Sequence, residues 1–461
     1  MKRNIIWILL FLAVSSIAQT DTLSIEQCRQ LALQHNKELK SSELLIDKSQ
    51  HIRKSTRALF FPDLSLNGFA AYSNASGSLG LDLTPMLGLA GQVINGLHGQ
   101  GTAEYLAQAY GDVLPKQLDI DYEIGWVYGG NVMLKQPIFM GGKIVAGYRM
   151  SKLAVLMSQQ NRVLSQSEVI EKADEAYATV VRANELRLVA QKYRDLLLEL
   201  DRNVESAVRH GMKMPVDRSK VQVKLNEAEL QLKRAENGIR LATMNLCHVM
   251  GTPLTERPIV SNAYPVVADA DLLHGGDITL RPECALLDYQ VQMATQKERV
   301  VRSEMLPQLA LLATYGYVNG VQVMGKSFMD SWSFTGGVTL SVPLYHFGER
   351  YHKLKAAQLE KEQAKLEREN KMELMQLELT RAANNLDEAL LECQLADKSL
   401  AQAEENLRIS SQQYLAGTET LSDHLEAQLL WQQANQTRID AHFQHYLASV
   451  AYLKATGRLV Q

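Results

Sequence analysis

The sequence predicts a mainly helical protein with a membrane β-barrel portion, built from two copies of a unit that joins β-strands to a long coiled-coil α-hairpin. The two copies show in the phrases "LKQPIFMGG" (134–142) and "LSVPLYHFG" (340–348). Pro137 and Pro343 lie 206 positions apart (343 − 137). The same offset relates Gly142 to Gly348, Gly211 to Gly417, Asp217 to Asp423 and Gly251 to Gly457. A register without gaps over this span indicates an internal duplication.

The amino terminus has the pattern of an export signal. Lys2 and Arg3 precede an apolar run, and small residues follow at 16–18. We therefore expect residues 1–18 to be a cleaved secretory signal peptide. A retained membrane anchor is the alternative, but the apolar run is shorter than the roughly 20 residues that a spanning helix needs.

Composition and reactive side chains point away from nucleic acids and enzymes. The net charge of −3 is not basic enough to indicate a nucleic-acid partner. Four scattered cysteines are expected to be mostly buried thiols, with a single Cys28–Cys284 or Cys28–Cys247 bridge left open. The pairs His442/His445 and His346/His352 lack a third ligand at a metal-site spacing. We predict no catalytic residue, metal or cofactor.

Four short segments, near 62–73, 130–139, 307–318 and 336–346, alternate with the period of two that is typical of strands. In the first, Leu64, Leu66 and Tyr72 share one face, while Asp63 and Asn67 share the other. About ten residues suffice for a tilted strand to cross a bilayer, although a soluble β-sandwich strand looks similar. Open sheet edges cannot lie in lipid, so membrane strands of this kind require several chains to share one barrel.

Prolines and a long insertion set the limits of these strands. Each of the repeated prolines is expected to mark the end of a strand, where the helical part begins. Pro62 and Pro137 are 75 positions apart, whereas Pro307 and Pro343 are 36 apart, so the first copy carries 39 extra residues (75 − 36). The extra stretch is rich in glycine, and we expect a large surface loop over 75–129.

Long helical hairpins follow each strand pair. About 65 residues without proline follow Gly142 and Gly348, enough for a helix of about 100 Å. A heptad seam runs through Leu379, Leu386, Cys393, Leu400 and Leu407, with small residues at Ala382, Ala389, Ala396 and Ala403. Glycine suits the turn of each hairpin, at Gly211 and Gly417. We expect hairpins over 142–251 and 348–457; a soluble coiled coil would explain the heptads but neither the signal peptide nor the strands.

This order of elements, with "QPIFMGGK", "VPLYHFGE" and "YLAGTETLSDHLEAQ", resembles the TolC family of outer-membrane efflux proteins. The resemblance covers the mature chain as a first repeat (19–254), an equatorial linker (255–280) and a second repeat (281–461). It implies a homotrimer in which four strands per chain form a twelve-stranded barrel in the lipid bilayer of the outer membrane. A periplasmic helical tunnel would continue the barrel.

The resemblance also implies a function. The protein would be the outer-membrane exit duct of a tripartite efflux system, exporting small molecules passively with a periplasmic adaptor (membrane fusion) protein and an inner-membrane pump. A duct for type I protein secretion and a periplasmic coiled-coil scaffold without a pore are the alternatives. The hairpin tips around Gly211 and Gly417 are expected to contact the adaptor.

A periplasmic gate is implied at the tips. The family's acidic pair beyond the second tip glycine matches Asp423 and Glu426, and its tyrosine ahead of that glycine matches Tyr414. The acid after the first tip glycine matches Asp217. Solvated helix ends are the plain alternative for these acids.

Two positions depart from the family's tip pattern. Glu419 stands where the family has the arginine that bridges to the acid of the first tip, and Val216 replaces the adjoining threonine. The closing contact must therefore differ. Lys213 and Arg218 are candidate replacements for that arginine.

Overall fold

The computed structural model describes residues 22–98, 104, 117–261, 263–265, 276–323, 326–327 and 330–460. The predicted signal peptide, residues 1–18, lies outside the described residues. The chain divides into two compact units, and each is described by itself. The helical unit consists of the described parts of Met1–His51, Lys152–Ala294 and Glu360–Gln461, and the sheet unit of those of Ile52–Ser151 and Thr295–Leu359.

Helices make up most of the described residues. Their bounds are α1 Ile25–His35, α2 Lys37–Ala58, α3 Thr84–His98, α4 Lys143–Arg209, α5 Pro215–Met250, α6 Pro282–Ser303, α7 Glu349–Leu415 and α8 Leu421–Ala455. Within the described residues, no helix is both long and apolar enough to cross a bilayer.

The duplication is visible in the backbone. α4 and α7 each contain 67 residues, and their starts (349 − 143) and ends (415 − 209) both differ by 206. The paired glycines share one left-handed conformation: φ is 85° at Gly142 and Gly348, 75° and 76° at Gly211 and Gly417, and 72° at Gly251 and Gly457. Both hairpins predicted from the sequence are therefore present, with the same turn geometry.

The core of the helical unit lies between α4, α5, α7 and α8. Tyr193, Leu197, Ala228 and Trp431 form one buried cluster, against which Leu400 and Leu407 of the predicted seam pack. The alanines of the seam allow close approach, since Ala389 and Ala396 are buried with Cys393. A second buried cluster joins α1 to α4 and α5.

The cysteines are buried thiols, as predicted. All four are free, so neither disulfide that the sequence left open is present. Cys28 lies fully buried beside α4, and burial, assisted by the charge of Asp174, raises the pKa of its thiol to about 12. Such a thiol is unreactive at neutral pH.

The sheet unit is antiparallel. Its strands are β1 Asp63–Tyr72, β2 Ser76–Asp82, β3 Gln117–Met140, β4 Gln308–Val323, β5 Lys326–Ser327 and β6 Ser331–Ser341. The main order is β1–β3–β4–β6, while β2 pairs with the beginning of β3 and β5 with the end of β4. Mainly helical content with a strand sheet, in two repeats, confirms the predicted fold class.

The prediction of a surface loop over 75–129 is wrong for the described residues of that stretch, and residues 99–103 and 105–116 lie outside them. That stretch contains β2, α3 and the first half of β3, so the strand predicted near 130–139 begins at Gln117 instead. Gly77 has a packing role, because a Cβ there would lie 3.0 Å from the Tyr122 hydroxyl on the neighbouring strand. Glycine in a strand often marks such a close approach rather than a loop.

Other strand bounds also differ from the prediction. The strand expected near 307–318 continues to Val323, and the one expected near 336–346 covers Ser331–Ser341. Pro343 follows its strand, as expected, but Pro137 lies inside β3 at a register shift. A bulge accommodates a residue without an N–H donor, which explains why the strand continues past this proline.

Candidate functional site: hairpin tips and amphipathic sheet

The two hairpin tips share a backbone design. At each tip the glycine N–H and the following N–H donate back into the preceding helix: Met212 N to Ala207 O (2.9 Å) and Thr418 N to Gln413 O (3.0 Å). This is the bonding pattern of a helix that ends in a left-handed glycine. A Cβ at Gly211 or Gly417 would meet no atom of the chain within 4 Å. The glycines are therefore needed for their conformation and not for internal space.

The acids predicted for the gate, Asp423 and Glu426, are both exposed on α8. Thr420 is the N-cap of α8; its hydroxyl accepts from the Asp423 N–H (3.2 Å) and donates to the Asp423 carboxylate (2.7 Å). A carboxylate in the first turn also interacts favourably with the helix dipole. In the single chain, Asp423 is thus a bonded residue of the first turn of α8, and its side chain remains exposed to solvent.

The first tip contacts the second through Tyr414. The Lys213 ammonium lies 5.2 Å from the centroid of the Tyr414 ring, which is a cation–π contact. Burial, and after it the charge of Asp217, raises the pKa of Tyr414. Asp217 itself pairs with Lys220 of the next turn at 3.6 Å.

Of the two candidate replacements for the family's arginine, Lys213 is the one that contacts the opposite tip. It contacts the ring of Tyr414 and not an acid. Arg218 instead faces α4, where it pairs with Glu205 at 3.1 Å and lies 3.6 Å from Asp201.

Sequence reasoning missed a buried polar cluster at the second tip. Glu419 accepts a hydrogen bond from the Ser410 hydroxyl (2.7 Å), and that hydroxyl lies 2.9 Å from Nδ1 of His424. Gln428 Nε2 lies 3.0 Å from Nε2 of His424. The His424 ring, 5% exposed, stacks on Tyr414 with centroids 4.9 Å apart and planes 7° apart. Glu419 is therefore a bonded member of this cluster rather than an unpaired acid.

The sheet has one apolar and one polar face. Register places Leu66, Val132, Tyr315 and Phe334 in one row across the four main strands. The adjacent rows on the opposite face are Asn67, Asn131, Gly316 and Ser333, and Ser65, Met133, Thr314 and Thr335. The apolar row is exposed to an unusual degree: Leu66 is 81% and Phe334 70% accessible. A large exposed apolar face on a sheet indicates contact with lipid or with another protein.

Aromatic residues gather towards one end of this apolar face. Tyr72 lies beside Trp126 (centroids 5.4 Å apart), and Trp332 lies beside Tyr315 and Tyr317 (5.2 and 5.7 Å). Bands of this kind are typical of the interface between membrane and water. Among the described residues, no group of three or more His, Cys, Asp or Glu could hold a metal ion.

An amphipathic antiparallel sheet combined with two long helical hairpins defines the class of outer-membrane channels that extend into the periplasm. The family model "Outer membrane efflux protein" matches residues 28–252 and 281–458. The chain belongs to this family. The resemblance seen in the sequence is thereby confirmed, and with it the outer-membrane location and the efflux function.

Solved channels share the fold. The Campylobacter jejuni CmeC outer membrane channel is 17% identical with a TM-score of 0.73, covering 94% of this chain and 85% of that one. VceC from Vibrio cholerae is 16% identical with a TM-score of 0.71, covering 94% of this chain and 96% of that one. The open state of the Neisseria gonorrhoeae MtrE channel is 16% identical with a TM-score of 0.67, covering 95% of this chain and 89% of that one. No curated protein matches. The family and these neighbours are channel proteins, not enzymes.

Proposed function

We propose that three copies of this protein form the outer-membrane exit duct of a tripartite efflux system for small molecules. The observation that carries the proposal is the sheet. Among the described strands, β1 pairs only with β3, and the long edge of β6 opposite β4 has no partner. Unpaired edges are not stable in lipid, so β1 of one copy must pair with β6 of the next. Four main strands from each of three copies make a closed barrel of twelve.

The polar face supports a water-filled interior. With the apolar rows turned to lipid, the asparagine, serine and threonine rows line the barrel, and the Asn67 amide donates to Asn131 across two strands (3.3 Å). Hydroxyl and amide side chains provide hydrogen bonds to water without binding one cargo tightly. Such a lining favours passive passage.

The hairpin tips are the proposed contact with a periplasmic adaptor, which would link the duct to an inner-membrane pump. Their glycines have open space around the missing side chain, and Met212 and Met214 are 71% and 68% exposed. A partner helix can approach closely where side chains are absent, and flexible thioethers adapt to its surface.

The gate is proposed to lie at the same tips. Asp423 and Glu426 would face the axis of the trimer, while Lys213 on Tyr414 would hold the two tips of one chain together. This contact would replace the arginine bridge of the family, with Asp217 and Glu419 flanking it. Because a cation–π contact is weaker than a bidentate ion pair to arginine, the closed state would be less tightly held.

The assembly and the duct can be tested together. We expect the protein in the outer-membrane fraction as a trimer that dissociates on heating, and we expect the purified trimer to conduct ions in planar bilayers. Export of a dye from cells lacking their own duct would support small-molecule efflux, whereas restored secretion of a protein alone would favour the type I secretion alternative. A soluble periplasmic monomer without conductance would contradict the proposal.

A further inference from the structure

His424 has both ring nitrogens engaged, and the partners define which nitrogen carries the proton. Ser410 has a single hydroxyl proton, which it donates to Glu419. Its oxygen must then accept from Nδ1–H of His424, 2.9 Å away. In a neutral ring Nε2 therefore has no proton, and it accepts from the amide nitrogen of Gln428 at 3.0 Å. The network holds His424 as the neutral Nδ1–H tautomer.

Gln428 has an unused acceptor beside this ring. The side chain is 3% exposed, and its Oε1 is buried without a hydrogen-bond partner. Reversing the amide would place Oε1 against Nε2 of His424, where it could accept a hydrogen bond only from a protonated Nε2. A buried acceptor without a partner is costly. The cluster therefore already contains the acceptor, Gln428 Oε1, that a protonated Nε2 of His424 would need.

We propose that His424 is a proton-responsive switch of the second hairpin tip, which takes up a proton at Nε2, reverses the Gln428 amide and loosens the contact of Tyr414 with the first tip. No atom other than the proton is exchanged with solvent. Only the last consequence, a change in the open fraction of the duct, rests on the proposed function.

The charges around the ring give the switch its direction. Glu419 reaches His424 through Ser410, while Asp217 and Lys213 act on the other side through Tyr414, and Asp423 lies exposed next to it on α8. A protonated His424 stacked on Tyr414 would stand close to the Lys213 ammonium on the same ring system. Repulsion between two cations sharing one aromatic ring would weaken the Lys213 contact.

The pH range follows from burial. Burial lowers the pKa of His424 from its ordinary 6.5, and the charge of Glu419 acts in the opposite direction. An opened tip, with the ring in water, binds the proton at the ordinary value, whereas the closed tip binds it only at lower pH. The closed tip therefore loses stability as pH falls below about 6.5, and the loss ends once the lowered pKa is reached.

Nitrogen NMR of the trimer in detergent tests the bonding. We expect the His424 signal, assigned with His424→Gln, to show the Nδ1–H tautomer at pH 8 and a pKa below the ordinary value. Gln428→Glu should raise that pKa by placing a carboxylate against Nε2, and Gln428→Leu should lower it by removing the acceptor. An Nε2–H tautomer at pH 8, or a pKa indifferent to both Gln428 variants, would overturn the proposal.

Hydrogen exchange tests the loosening without reference to transport. Corrected for intrinsic rates, protection across residues 410–428 should fall by up to about tenfold between pH 7.5 and 5.5 in the parent. It should be independent of pH in His424→Gln. His210→Gln is the matched control, because His210 is an exposed histidine of the first tip that contacts its own helix at Ser206 O. It should behave like the parent.

The outcomes separate the switch from the duct. If hydrogen-exchange protection in the parent does not change with pH, the switch is contradicted, whatever the single-channel conductance does. Protection that falls with pH while single-channel conductance stays constant retains the switch and removes the tip from the gate. If both change in the parent and neither changes in His424→Gln, the switch and the gate are supported together.

Discussion

A buried ion pair between Asp174 and Arg29 joins two helices of the helical unit. The Asp174 side chain is 0% exposed on α4, and Arg29 of α1 donates two hydrogen bonds of 2.7 Å to its carboxylate. A buried carboxylate without this partner would keep its desolvation cost. The pair therefore holds α1 against α4, and removing Arg29 alone would leave a buried charge without a partner.

Arg29→Ala should lower the free energy of unfolding of the helical unit by about 3 to 5 kcal/mol. Arg162→Ala is the control, because its pair with Glu43 also ties an amino-terminal helix to α4 but is 35% and 50% exposed. That change should cost about 0 to 1 kcal/mol. Hydrogen exchange of α1 and α4 measures both, and equal losses would show that Asp174 is solvated in the native trimer.

At the scale of residues, the sequence located the second tip, because its motif is local, but not the contacts made there. The gate role of its residues stays a prediction. Tyr414, Asp423 and Glu426 could be placed from one stretch of sequence. The cluster around His424 could not, because Ser410 and His424 are 14 positions apart (424 − 410) and meet only once the chain has turned at the tip. The bonding of Glu419 could not be predicted for the same reason, since its partner Ser410 lies on the preceding helix.

At the scale of elements, periodicity predicted the helices and misjudged the insertion. The 206-residue offset fixed both hairpins because each of their turns requires a left-handed glycine. In 75–129 the same residue type misled, since Gly77 is small to make room for Tyr122 and not to break a strand. Composition alone does not distinguish these two uses of glycine; the pairing of β2 with β3 does.

The tip glycines give a prediction about the turns. Gly417→Asn, like Gly211→Asn, should leave export unchanged, because asparagine adopts the left-handed conformation readily. Gly417→Trp should strain the left-handed turn by about 1 to 2 kcal/mol but leave the trimer intact, since nothing beyond the turn itself lies within 4 Å of a Cβ there, and it should reduce export by blocking a partner. Export assays and heat-dissociation gels measure the two effects. Normal export with tryptophan at both tips would remove the tips from the docking surface.

The two faces of β6 give a prediction about the membrane. Val338 is 62% exposed on the apolar face, and Thr339 follows it on the polar face. Val338→Lys should destabilise the membrane-inserted trimer by about 2 to 4 kcal/mol per chain, and Thr339→Lys by much less. The heat-dissociation temperature of the trimer reports the difference. Equal sensitivity at the two positions would mean that the apolar face does not contact lipid.

At the scale of the whole molecule, one chain alone leaves an apolar sheet face exposed and two sheet edges unpaired. The exposed rows of β1 and β6, such as Leu66 and Phe334, are inconsistent with a soluble sheet, and the edges of the same strands require partners. Closing three copies into one barrel, as proposed above, would solve both problems together. The trimer is thus inferred from the unpaired edges of β1 and β6 and from the exposed apolar face of the sheet.

In the proposed trimer, the tip acids would gain a role that one chain cannot show. Three copies of Asp423 and Glu426 around one axis would concentrate negative charge in a narrow opening, where it would favour cations and bind divalent ions. Asp423→Asn combined with Glu426→Gln removes this charge while keeping shape. We expect larger conductance, weaker cation preference and loss of divalent block in planar bilayers.

Thr420→Ala separates the gate from the helix cap. It removes the hydroxyl that bonds Asp423 but leaves every carboxylate in place. The α8 helix should therefore lose about 1 kcal/mol of capping, while the negative charge of Asp423 and Glu426 around the axis stays unchanged. The cation preference and the divalent block should therefore persist in Thr420→Ala, whereas the double amide variant should weaken the first and abolish the second. If both variants behave alike, the acids act through the stability of the helix end, and the constriction of the duct must be formed by other residues.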